Sequence, residues 1–174
     1  MKLDKVILSS DDNPDYLEFW PIVSEAWRNI GIEPILFYTG KNKIKNENVF
    51  NFNLEKCDSA FIAQNVRLLA PTLFPNDTCI ISDIDNMPLS EDYFQGNIVN
   101  ITDNQFVIYR PDATSEDMIS IMWNAAKGSK WIDIFEVDSV ESISKKLLSW
   151  YPENYSIGGD NWYHDQKILK EYIT

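Results

Sequence analysis

The chain has 174 residues, of which 44% are hydrophobic and 13% aromatic; this is enough for one sizeable core and too little for two ordinary domains, so a single domain over residues 1–174 is expected. Twenty-seven acidic against fifteen basic residues give a formal net charge of -12, which excludes nucleic acid and anionic membrane surfaces as partners, because both are held by clustered Lys and Arg that replace counterions. Charges at Lys2, Asp4 and Lys5 break the N-terminus, and no run reaches the roughly 18 apolar residues of a membrane span, so neither signal peptide nor anchor is expected and the expected compartment is the cytoplasm.

Val6-Ile7-Leu8 reads as a buried strand that stops at the polar cluster Ser9-Ser10-Asp11-Asp12-Asn13-Pro14. From Tyr16 to Ile30 apolar residues recur at three- and four-residue steps, which predicts a helix closed by Gly31, and Pro34 to Tyr38 gives a second strand. This is a strand–helix–strand unit of parallel α/β type. A polar connection follows, with at most a short strand at Val49 to Phe52. Asp58 to Leu69 reads as a helix that Pro71 and Pro75 prevent from continuing. Thr78 to Ser82 is then a third buried strand, running into Asp83-Ile84-Asp85-Asn86. Phe106 to Tyr109 is expected as a strand, Ser115 to Ala126 and Ser139 to Trp150 as helices, and a last helix is expected from Gly158-Gly159-Asp160 through Trp162 to Tyr172. Cys57 and Cys79 have no metal-ligand spacing and are expected as free thiols.

An apolar strand ending in Asp-x-Asp carries the chemistry. Asp83 and Asp85 would stand at the carboxyl edge of a parallel sheet, where ligands of α/β folds bind. Two carboxylates there attract a hard divalent cation, Mg2+ or Mn2+, with places left open for diphosphate oxygens. A calcium loop of EF-hand type is excluded, since it needs an oxygen ligand at 87 and Gly at 88, where Met87 and Pro88 stand. A phosphatase of the haloacid dehalogenase type also uses an apolar strand with Asp-x-Asp. That motif normally opens its fold, whereas two strands and two helices are expected before it here.

Four spaced segments together resemble the GT-A glycosyltransferases, in particular the retaining galactosyl- and glucosyltransferase branch with a glycogenin-like fold. Val6 to Asn13 (VILSSDDN) resembles the first strand and nucleotide loop, Gln64 to Leu69 (QNVRLL) the helix with a donor-directed arginine, Cys79 to Leu89 (CIISDIDNMPL) the metal motif, and Asp165-Gln166 in WYHDQKIL the Asp-Gln pair. In size and general likeness the chain is similar to small viral enzymes such as the capsid-glycosylating type of chlorella viruses, for which the compartment would be host cytoplasm.

The resemblance implies an α/β GT-A domain with a mostly parallel central sheet flanked by helices. It implies a hexosyltransferase that uses a nucleotide-diphosphate sugar, a UDP-sugar, with manganese or magnesium and a glycan or protein acceptor, as a monomer or weak oligomer. Ser9, Ser10, Asp11, Asn13 and Asp83 would meet the nucleotide, Asp83 and Asp85 the metal, Arg67 the donor sugar, and Asp165 and Gln166 the reacting carbon, with retention of configuration. An inverting enzyme would instead use a carboxylate such as Asp165 or Asp160 as general base.

The family usually adds a metal-binding histidine, and often a diphosphate-binding lysine, after the Asp-Gln helix; here the only histidine, His164, lies inside that helix. The rival readings are a non-catalytic nucleotide-sugar-binding module, the phosphatase, and a nucleotidyltransferase, whose Gly-rich basic loop is missing after Leu8.

Overall fold

A six-stranded sheet in the order β3-β2-β1-β4-β6-β5 organises the computed structural model, which describes residues 1–174. The strands are β1 (Lys5–Ser10), β2 (Glu33–Tyr38), β3 (Val49–Asn51), β4 (Thr78–Ile81), β5 (Val107–Ile108) and β6 (Asn124–Lys127). Strands β3, β2, β1 and β4 are mutually parallel, and β6 runs antiparallel to both its neighbours. The sheet is therefore mostly parallel, as expected.

Both faces of this sheet are covered, which is why its strands read as continuous apolar runs. The two-residue alternation divides them between two cores. Ile7, Ile35, Phe37, Cys79, Ile81 and Ala126 point into one, beside helices α3 (Ser59–Leu69), α5 (Gly128–Phe135), α6 (Val140–Trp150) and α7 (His164–Ile173). Val6, Leu8, Leu36, Ile80 and Ala125 point into the other, beside α2 (Trp20–Asn29) and α4 (Glu91–Gln95).

Three expectations are corrected. The helix predicted from Tyr16 to Ile30 is two helices, α1 (Pro14–Leu17) and α2, separated at Glu18-Phe19. Pro21 has no N–H to give Leu17 and its ring would strike that carbonyl, so the chain restarts with Pro21 in the first turn of α2. Gly31 does end α2, with φ at 75°, where a side chain would be strained.

The helix predicted from Ser115 to Ala126 is absent. Ile119 and Ile121 are buried at two-residue spacing, and Asn124 to Lys127 form β6. The helical propensity of Ala125-Ala126 yields to their place in the sheet, where small side chains let both helical layers approach. The last helix begins at His164, after the turns around Gly158 and Gly159. Both cysteines are free, Cys79 buried and Cys57 half-buried. No helix is long and apolar enough to cross a membrane.

Candidate active site

The carboxyl ends of the parallel strands open on a cleft of about 430 Å3. All nine residues singled out in the sequence line it: Ser9, Ser10, Asp11, Asn13, Arg67, Asp83, Asp85, Asp165 and Gln166. Asp160 and His164 do not.

The β1 exit is held by its own polar groups. Ser9 is buried and its hydroxyl donates to the Ala63 carbonyl of α3, while Ser10 donates to the Asp11 carbonyl at 3.0 Å. Asp11 Oδ1 accepts from the Asn13 N–H at 3.0 Å and Oδ2 from the Ser59 hydroxyl at 3.3 Å. Asn13 in turn caps α1 by accepting from Asp15 N–H at 3.0 Å. These hydrogen bonds fix the shape of the loop where it lines the cleft.

Arg67 occupies the centre. Asp58 caps α3 by accepting from Ala60 N–H at 2.9 Å, and the helical period then places Ala60, Gln64 and Arg67 along one stripe that faces the cleft. The guanidinium is 9% exposed and forks between two carboxylates, pairing with Asp83 through Nη1 and with Asp165 Oδ2 at 2.7 Å through Nη2, while Nε donates to the Gln64 carbonyl at 3.1 Å. Burial alone would favour the neutral arginine, but Asp83 and then Asp165 outweigh it and hold the guanidinium firmly protonated.

Asp165 is almost wholly buried at the start of α7. Loss of water raises its pKa, Arg67 opposes that shift, and Oδ1 accepts from the Gln166 N–H at 2.8 Å. Both of its oxygens are thus engaged. Gln166 is half-buried beside it, and its carbonyl accepts from Ile119 N–H at 3.2 Å.

Asp83 and Asp85 follow β4 in a turn closed by Asn86 N–H on the Asp83 carbonyl at 3.3 Å. Asp85 stands at the exposed rim, where incomplete hydration and then the charge of Asp83 raise its pKa. In all, the cleft is lined by Asp11, Asp83, Asp85 and Asp165 against one arginine, and that arginine is already shared by two of the four. It is an anion-repelling cleft as it stands.

The donor set suits the cation implied by the Asp-x-Asp motif: two adjacent hard-oxygen donors of like charge, one at the surface, with a surplus of negative potential around them. No three Asp, Glu, His or Cys side chains converge closely enough to hold a metal ion together, so the two aspartates would form an open shell. Half-buried His164 is turned elsewhere. Its Nδ1 lies 2.9 Å from Asn65 Oδ1, and its ring packs by Phe61 and Trp150.

Several cleft residues were not picked out from the sequence. Tyr16, Ile157, Trp162 and Tyr163 form an apolar rim, and Ile121 and Met122 a wall. That wall is drawn in by Asn124 Nδ2, which donates to the carbonyls of Ser120 (2.8 Å) and Ile121 (3.0 Å), and by Trp123 Nε1 on the Ser82 hydroxyl (2.9 Å). Gln64 bridges the rim to α3, donating to the Trp162 carbonyl at 3.1 Å and accepting from the Tyr155 hydroxyl at 3.0 Å. Gln64, three residues before Arg67 and so on the same stripe of α3, was the available signal; the rim residues lie in irregular segments with none.

No family model matches the chain, and no curated protein matches it in sequence. Among solved structures, the apo form of the glycosyltransferase GlyE of Streptococcus pneumoniae superposes with a TM-score of 0.51 at 14% identity, over 97% of this chain and 42% of that one. A second GlyE structure gives 0.48 at 13% identity over 98% and 43%. The galactosyltransferase LgtC in complex with donor and acceptor sugar analogs gives 0.49 at 14% identity over 95% and 69%. The chain thus spans less than half the length of GlyE. The first of these likenesses shows the fold alone, an α/β domain of the GT-A kind.

Proposed function

We propose that this chain is a metal-dependent glycosyltransferase that moves a hexose from a UDP-sugar to a glycan or protein acceptor with retention of configuration, residues 1–174 forming one such domain. The observation that carries this reading is that a single cleft gathers the β1 loop, the Asp83-Asp85 pair, Arg67 and the Asp165-Gln166 pair at the carboxyl edge of a GT-A-type sheet.

In this reading Asp83 and Asp85 hold Mn2+ or Mg2+, and the β1 loop from Ser9 to Asn13 lies along the nucleotide. The chemistry that such a bound cation supplies is Lewis-acid stabilisation of charge on the leaving diphosphate. Arg67, fixed by Asp83 and Asp165, presents its remaining edge to the donor sugar. Asp165 is 2% exposed and each of its oxygens already accepts a hydrogen bond, one of them from Arg67, which favours a positioning role for it over that of a general base and so supports retention. Gln166, beside it, stands nearest to the reacting carbon. A phosphatase would need Asp83 as a free nucleophile, and its pairing with Arg67 argues against that.

Mn2+ with a UDP-sugar should raise the melting temperature of the wild-type protein, and Asp85→Ala should abolish the rise. The reading fails if no nucleotide sugar shifts the transition. Binding without transfer or donor hydrolysis at saturating metal would leave a binding module.

A further inference from the structure

The proposed reaction leaves one group beside the aspartate pair without a role. Asn86 Nδ2 lies 3.1 Å from Asp85 Oδ1 and 3.5 Å from Asp83 Oδ2. It is the only side chain hydrogen-bonded to both aspartates, since the other oxygen of Asp83 belongs to Arg67. The positive end of a carboxamide dipole therefore sits between two carboxylates that repel each other.

A carboxamide has two faces. Turning its terminal torsion by half a revolution replaces the NH2 by the carbonyl oxygen with little change in the space occupied. Between bare carboxylates the NH2 face is favoured. Next to a cation shared by those carboxylates the preference reverses, because NH2 would point positive charge at positive charge, whereas an Asn carbonyl is an ordinary ligand of hard divalent ions. No further acidic, His or Cys side chain is grouped with the pair to serve instead.

Resting on the metal role proposed above, we infer that Asn86 is the third oxygen ligand of the cation, its carboxamide turning from donor to acceptor when the metal enters. The motif that binds metal is then Asp83-x-Asp85-Asn86. The opposite possibility is that the amide is an internal substitute for the cation, displaced on binding. The two differ in sign.

Mn2+ uptake by the full chain, followed by loss of the free-ion electron paramagnetic resonance signal with UDP present, separates them. Asn86→Ala is expected to weaken Mn2+ binding about tenfold, within the range that losing one supporting group costs at a metal site, while Asn86→Asp, which retains an oxygen, should bind at least as tightly as wild type. Unchanged or tighter binding by Asn86→Ala overturns the inference alone. Absence of uptake by the wild type overturns both it and the proposed function. If Asn86→Ala does not fold, Asn86→Leu decides by the same titration: weaker Mn2+ binding than wild type supports ligation, and equal or tighter binding overturns it.

Discussion

The two sides of the cleft are built by different forces. On the sheet side the positions of Ser9, Ser10 and Asp83 follow from backbone ladders: Ser9 and Ser10 pair with Phe37 and Tyr38, and Ser82 N–H donates to the Ile7 carbonyl at 3.1 Å one residue before Asp83. On the opposite side, Tyr151 to Gln166 belong to no strand and are pinned largely by side chains: Arg67 to Asp165, Gln64 to Trp162 and Tyr155, Asn65 to His164, and Phe61 edge-on to Tyr151 and Tyr155. The side built on β1 and β4 is therefore set by topology. The opposite wall is hung on one face of α3, and it should be separable from the sheet by mutation.

The largest effect expected is from Arg67→Met, which leaves Asp165 buried and unpaired; about 3–5 kcal/mol of stability should be lost in denaturant titration. Adding Asp165→Asn should recover part of that loss, because the stranded charge is removed. Amide exchange should rise through α7 well before it rises in β1 and β4. Uniform exchange across the sheet and α7 would break the comparison.

A smaller effect follows from Tyr155→Phe. It removes one half-buried hydrogen bond to Gln64 and should cost about 1 kcal/mol, with protease susceptibility increased between Tyr151 and Tyr163 but not at the β1 loop. Equal cleavage at both would contradict the proposed division.

The smallest expected effect concerns pH. Partial burial and then Lys167 depress the His164 pKa below its ordinary value of 6.5. The unfolded chain thus takes up this proton first as pH falls. The contribution of neutral His164 is fully present above pH 6.5 and is lost as pH falls through the depressed folded value. His164→Asn should be less sensitive to pH between 7.5 and 5.5 than wild type, as measured by denaturant titration at the two pH values. Identical pH dependence in the two proteins would show that His164 is not the titrating group.

The same division explains what could be read in advance. Strands β1, β2 and β4 are short apolar runs ending in polar clusters, a local pattern that survives folding, and they carry the Ser9 loop and Asp83-Asp85 to their places. Strand β6 could not be read because Asn124-Ala125-Ala126-Lys127 has helical propensity and is strand only by pairing with β4 and β5. The break at Glu18-Phe19 was visible in Pro21 but was overridden by helical spacing on both sides of it. Arg67 and Asp165 were legible as candidates; their ion pair, joining positions 98 residues apart, was not, since no local pattern encodes it. Tyr163 and Ile157 stand in turns without periodicity, so their place on the cleft rim depends on the docking of α7 against α3.

The central claim is that this cleft, with four carboxylates around one shared arginine, accepts a nucleotide diphosphate only when a divalent cation accompanies it. Calorimetric titration of UDP into the wild-type protein, once with Mn2+ and once with a chelator, tests it directly. The account predicts saturable binding with Mn2+ and none with chelator. Equal affinity in the two titrations would contradict it.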